Sequence, residues 1–384
     1  MSTRTPSPSP VLPDDGAPPD AVPTPALGSL RDGRGAVVAR FAAGWWGAAA
    51  AVALVVALTG KTLPVGDASR EVGTPLVGVD ARALTFWIGA LAVAGTLVAL
   101  ACLRLPGVPV SAVTRRVRVA VLAAGGAVLA GIVALTDLTV LARLGYLPVL
   151  LILAPFDAEF RDALLHKVVT GTSTFQAVAL VGGALLAVAL VRFDRAARAA
   201  CASCGRHADG HDPAWTTPAA AARWGRRATF AAAAVPVIYA VTRLAWVLGI
   251  SLGFDQGDLD ALHDSSGWIA ALGLGGFAAV GAVLTLGLTQ RWGERFPRWT
   301  LGLAGRRVPV LLAVVPATVV AVAVLPAGVT LIAGVLDGDL ELSGGGVAAF
   351  GPAFLWPVWS VLLGAATYAY WLRRRGPCRV CGDS

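Results

Sequence analysis

Charge is scarce in this chain. Only 14% of its 384 residues are charged, against about 25% in an average soluble domain. Lysine is nearly missing: of 31 basic residues, only Lys61 and Lys167 are not arginine. With 56% of residues hydrophobic and a mean hydropathy of +0.71, the shortage excludes a surface wetted on all sides. Such a chain must hide in lipid as well as in a core. Catalytic signatures are also missing. There is no Gly-x-Ser-x-Gly, no His-Glu-x-x-His and no ordered set of membrane carboxylates. Leu58–Thr62 imitates the end of a P-loop, but Val55 stands where that motif needs glycine. The arginines form no continuous stripe interleaved with stacking aromatics, so the formal charge of +8 points to no nucleic-acid partner. Residues 1–38 are rich in Pro, Ser and Asp and lack the apolar stretch of a signal peptide. They are expected to be a disordered tail.

Long apolar runs are plentiful. A helix needs about 20 apolar residues to cross the hydrocarbon. Eight segments qualify: 41–59, 84–103, 119–138, 175–191, 228–252, 266–288, 308–331 and 347–372. The expected fold is an all-α polytopic membrane protein in contact with the lipid bilayer. Basic residues favour the cytoplasmic side of short loops. With the N-terminus inside, 24 Arg and Lys fall on cytoplasmic segments and six on outer ones. This places the protein in the cell membrane with both termini cytoplasmic. The segment 139–156 is apolar but broken by Arg143 and Pro148. It is expected on the outer face or partly re-entrant, because crossing would move the basic 192–227 loop outside. After it, Asp162 and His166 stand at i,i+4, either as a metal or proton-relay pair or as a solvated helix face.

The halves repeat their landmarks in order. Trp87-Ile88 opens span two and Trp268-Ile269 opens span six. Arg115-Arg116-Val117 precedes span three and Arg306-Arg307-Val308 precedes span seven. Spans four and eight each run through arginines into Cys-x-x-Cys-Gly. The expected units are two parallel four-helix repeats, 39–211 and 228–384, joined by a cytoplasmic linker, 212–227. Four spans per unit keep the repeats in one orientation, related by an axis along the membrane normal.

Four of the five cysteines lie in those paired motifs. Two thiolates at this spacing can share a metal from one tight turn, and glycine after the second Cys permits positive φ. The pseudo-twofold would bring Cys201, Cys204, Cys378 and Cys381 together as one closed, structural zinc site. A local alternative is Cys201, Cys204, His207 and His211. A redox pair and four inert thiols are the other readings; both pairs face the reducing side, which disfavours the redox one. Cys102, inside span two, reads as a small core residue.

Span five carries an intramembrane charge, Arg243, with Tyr239 at i−4 and Trp246 at i+3 on its face. Asp137 and Asp255 are candidate counter-charges. Such a residue usually faces the bundle interior; it lines an anion or headgroup site, snorkels outward, or makes a structural ion pair. Prolines 236, 316, 326, 352 and 357 are candidate kinks.

The Pro-rich leader, YAVTRLAWVLG (239–249) and the WGERFPRW…GRRVP loop (292–309) resemble those of Ala/Val/Arg-rich multi-pass membrane proteins common in actinobacteria. That resemblance implies a membrane location and no particular activity. Cys201, Cys204 and Gly205, then Cys378, Cys381 and Gly382, resemble the knuckles of zinc ribbons, which implies zinc. The function that follows is a non-enzymatic scaffold or regulatory protein with a protein partner at its cytoplasmic face. A transporter of a small molecule or lipid with Arg243 at its site is the alternative, and a membrane thiol-redox protein the third reading.

Overall fold

The computed structural model describes residues 33–63, 79–105, 115–141, 143–144, 161–162, 165, 170–207, 212–265, 267–300, 302–338, 340, 346–378 and 381. The tail through residue 32, most of 139–156, His166 and His211 lie outside these. Among the described residues eight helices are long and apolar enough to cross a membrane, and the chain is an all-helical polytopic membrane protein. They are α1 (Gly33–Leu58), α2 (Ala81–Arg104), α3 (Arg115–Ala134), α4 (Gly171–Ala197), α5 (Pro218–Val247), α6 (Gly267–Gly287), α7 (Val310–Leu336) and α8 (Trp356–Arg374).

Helix ends fall where the local chemistry puts them. Asp80 caps α2, accepting from the backbone amides of Arg82 and Ala83. Thr170 and Ser173 form a reciprocal capping box on α4. Both devices begin helices three or four residues ahead of the apolar run. The larger difference is at α5. Thr217 caps it and Pro218 occupies its first turn, so most of the expected linker, 212–227, is helix. Arg223, Arg226 and Arg227 extend α5 outside the apolar segment. Its 30 residues span about 45 Å, longer than a hydrocarbon core of about 30 Å.

Prolines divide into two groups. Pro236, Pro316 and Pro326 sit inside helices that continue through them. Pro352 and Pro357 instead occupy first-turn positions, of the 3-10 turn Gly351–Leu355 and of α8. There the missing N–H would have had no helical partner.

The two halves share three helix pairings, but α2 also packs on α3 and α4, whereas α6 makes no comparable contact with α7 or α8 among the described residues. Helix α1 lies along α2 and also touches α4, which packs on α3; α5 lies along α6 and α8, and α8 packs on α7. Lipid supplies no hydrophobic force between helices, so association relies on close packing at small residues and on interhelical hydrogen bonds. In the first half Trp46 is the key. Its ring lies against Gly95 of α2, where a Cβ would come within 2.6 Å, and its Nε1 donates to the Gly182 carbonyl of α4 at 3.1 Å. In the second half Gly225 of α5 meets Ala369 of α8 so closely that a Cβ would sit 2.4 Å from the alanine methyl. Three buried threonines satisfy themselves within their helices: Thr229, Thr285 and Thr367 each donate to the carbonyl four residues back. The outward faces carry Phe41, Leu54, Phe86, Val241, Leu311 and Val361, as lipid requires.

The α5–α8 approach tolerates no added side chain. Gly225→Leu is expected to destabilise the protein by about 1–3 kcal/mol through overpacking. The loss should appear as a lowered thermal midpoint in detergent, with Gly126→Leu, whose Cβ would meet nothing within 4 Å, as the control.

Candidate metal centre

Helix α4 ends at Ala197, and Ala199 then takes a left-handed conformation at φ 57°, which turns the chain back on itself. Ala200 pairs with His207 in an isolated antiparallel bridge. Between them the Cys201 amide donates to the Arg206 carbonyl at 2.8 Å, and the Gly205 amide donates to the Cys201 carbonyl at 2.7 Å. Gly205 has φ 75°, the conformation for which glycine after the second Cys is suited. The result is a tight knuckle with Cys201 and Cys204 both buried. The second knuckle leaves α8 at Arg374, and Arg375 is extended at φ −61°, ψ 118°.

The two knuckles meet. Cys201 Sγ lies 3.9 Å from Cys378 Sγ, and Cys204 Sγ lies 3.5 Å from Cys381 Sγ. All four sulfurs fall within 4.8 Å of one another. No disulfide is present; a disulfide would bring sulfurs to about 2.05 Å. A tetrahedral thiolate site with metal–sulfur bonds of about 2.3 Å has edges of about 3.8 Å. The cluster therefore has the dimensions to hold a metal ion. His207 lies outside it: its backbone amide donates to Asp212 at 2.8 Å, and its Nδ1 stands 3.5 Å from the same carboxylate. Burial, above all, pushes the Cys204 thiol far above the ordinary thiol range, and the neighbouring thiols of Cys381 and Cys201 add to this. Without a cation the thiol stays protonated; a bound metal would deprotonate its ligands outright.

Arginines build the frame around the cluster. Arg195 of α4 donates to the carbonyls of Ser203 at 2.8 Å and Ala202 at 3.3 Å. Arg206 reaches across to the Gly376 carbonyl at 3.3 Å. Arg375 donates to the Cys204 carbonyl at 2.9 Å and pairs with Asp212 at 3.2 Å. Both Arg195 and Arg375 lie over the Trp371 ring, 5.2 and 5.9 Å from its centroid. Three consecutive arginines at the end of α8 thus hold three different pieces of chain. Arg373 binds Glu294 at 3.0 Å and the Leu288 carbonyl. Arg374 binds the Val308 carbonyl at 2.9 Å, and Arg375 binds the first knuckle. In the sequence these residues register only as positive charge beside a span; their partners, 66 to 171 residues away, leave no local pattern.

Arg243 is buried at 8% exposure. Its guanidinium lies 4.3 Å from the centroids of both the Tyr239 and Trp246 rings, and Nη2 donates to the Ala349 carbonyl. Trp246 stacks on Phe254 at 4.0 Å and donates to the Leu252 carbonyl at 3.0 Å. Among the ion pairs of the described residues, none joins Arg243 to Asp137 or Asp255. The Asp137 carboxylate instead accepts from the Thr139 amide and hydroxyl at the end of α3. Gln176 of α4 adjoins that group and accepts from Arg143 at 3.1 Å. Asp255 is exposed and precedes the short helix Gln256–Asp264. Cys102 is a buried core residue in α2.

No protein-family model, curated protein or solved structure matches the chain.

Two substitutions probe these frames. Arg375→Gln removes charged hydrogen bonds to Cys204 and Asp212 and is expected to cost about 2 kcal/mol. Arg375→Lys should not restore the loss, because one ammonium cannot replace the planar fork. Arg243→Gln removes two ring contacts and the bond to Ala349, and is also expected to cost about 2 kcal/mol. Thermal unfolding in detergent reads both.

Proposed function

We propose that this is a non-enzymatic membrane scaffold or regulatory protein. In this reading two four-helix repeats are joined at the cytoplasmic face by one structural zinc ion on Cys201, Cys204, Cys378 and Cys381. The observation that carries the reading is the convergence of four sulfurs from the ends of α4 and α8 within 4.8 Å. Four thiolates complete a tetrahedral shell and leave no open position for water or substrate, so the ion's role is mechanical. Arg195, Arg206 and Arg375, fastened to the knuckle backbones, offset the net negative charge that four thiolates leave around a divalent ion.

The repeat assignment is supported by the matching helix pairings: α1 with α2 and α4, and α5 with α6 and α8. It is also supported by the equivalent positions of the knuckles after α4 and α8. Orientation rests on the bias of arginine toward the knuckle end. Redox chemistry is disfavoured by the burial of Cys201, Cys204 and Cys378, since reactive cysteines are partly exposed. Transport through an Arg243 site is disfavoured by the aromatic rings over the guanidinium.

Metal analysis of the purified full chain tests the proposal. One equivalent of zinc per chain is expected, lost in Cys378→Ser and in Cys204→Ser but retained in Cys102→Ser. Metal-free wild-type protein with unaltered stability would refute the zinc clamp.

A further inference from the structure

The connection between α6 and α7 is an ordered basic hairpin. Val308 donates to the Glu294 carbonyl at 3.0 Å, Phe296 to the Arg306 carbonyl at 3.0 Å and Gly305 to the Phe296 carbonyl at 3.0 Å. Arg295 and Arg307 form an isolated antiparallel bridge. The root is bolted to α8: Glu294 pairs with Arg373, Val308 accepts from Arg374, and the Tyr370 hydroxyl donates to the Gly293 carbonyl at 2.8 Å. The hairpin's shape is therefore set before anything binds to it.

Its surface is unlike that of the neighbouring α8 end. Arg291, Arg295, Arg298, Arg306 and Arg307 are all exposed. Among the described residues none of these five makes an ion pair or a side-chain hydrogen bond, whereas Arg373, Arg374 and Arg375 are each engaged. Glu294 is the only acidic residue of 291–308, and Arg373 occupies it. At the tip Trp299 is 80% exposed and Leu303 is 42% exposed. The hairpin stands between two spanning helices, with Leu288 and Val308 buried at its base, so its height is that of the membrane boundary.

We propose that residues 291–300 and 302–307 form a binding surface for anionic phospholipid headgroups of the adjoining leaflet. Unpaired guanidiniums at the boundary complement the negative potential of such a leaflet. Tryptophan is the side chain suited to the headgroup layer, with an apolar body and a polar N–H. Leu303 adds apolar surface at the same tip. The hairpin root shares α8 with the second knuckle, so lipid held here also fixes the end of the helix that carries Cys378.

The test uses the full chain reconstituted in phosphatidylcholine vesicles containing phosphatidylglycerol, with one or the other lipid brominated to quench tryptophan. The Trp299 signal is the difference between wild type and Trp299→Phe. Quenching should be stronger from brominated phosphatidylglycerol than from brominated phosphatidylcholine. In Arg298→Gln/Arg306→Gln the preference should fall about fivefold for each guanidinium removed. Arg298→Lys/Arg306→Lys should keep it, because attraction to the leaflet needs charge and not a fork. These side chains touch no partner, so the variants leave the fold intact. Equal quenching by both lipids overturns the proposal. So does quenching by neither, which would put the hairpin in water as a surface for an acidic protein. Loss of preference in the lysine variant overturns it as well.

Discussion

The end of α8 is the point on which the architecture depends. Within three residues, Arg373, Arg374 and Arg375 seize the α6–α7 hairpin, its return strand and the first cysteine knuckle. Backbone carbonyls at a helix or turn end are unsatisfied groups that must find donors. Guanidiniums supply several donors each from one rigid plane. Trp371 beneath Arg195 and Arg375 gives the ends of α4 and α8 a common floor. Once this lattice is in place, the sulfurs of two motifs 177 residues apart stand 3.5 to 3.9 Å from each other.

Within the bilayer a different constraint operates. Helices there gain little from burying apolar surface against one another, because lipid is equally apolar. The chain instead uses fit and a few polar locks. Trp46 keyed against Gly95 and Gly182, Gly225 against Ala369, and Ser360 donating to the Ala321 carbonyl at 2.7 Å are examples. Arg243 belongs to this class. Two rings lie over its guanidinium, and its bond to the Ala349 carbonyl ties α5 to the segment leading into α8. Each half thus holds together by short-range geometry in the membrane, and guanidinium chemistry at its edge joins the ends of α4 and α8.

Much of the fold was legible before any coordinates. Eight apolar runs predict eight helices, because the length of hydrocarbon to be crossed leaves little freedom. The errors lie at helix ends, where capping side chains such as Thr170 and Thr217 set the start and apolar content does not. The cysteine set was legible through chemistry, since Cys-x-x-Cys-Gly is a specific pattern and topology puts both copies on one face. The frame was not: Arg195, Asp212, Trp371 and Arg375 are ordinary residues whose roles depend on partners distant in the chain. The backbone acceptor of Arg243, the Ala349 carbonyl 106 residues on, left no local pattern either. Asp137 instead accepts from Thr139, whose hydroxyl also reaches Gln176.

By itself, then, the sequence determined what must be in lipid, how many times the chain can cross it, and which side chains can ligate a soft metal. These follow from composition, run length and local spacing, which are properties of neighbouring residues. Tertiary structure alone decided which arginines frame the sulfur cluster, that Arg243 reaches the Ala349 carbonyl, and that the basic loop is a hairpin bolted to α8. Those outcomes depend on which helix ends lie side by side. Packing of small residues between helices sets that arrangement, and no short stretch of sequence encodes it.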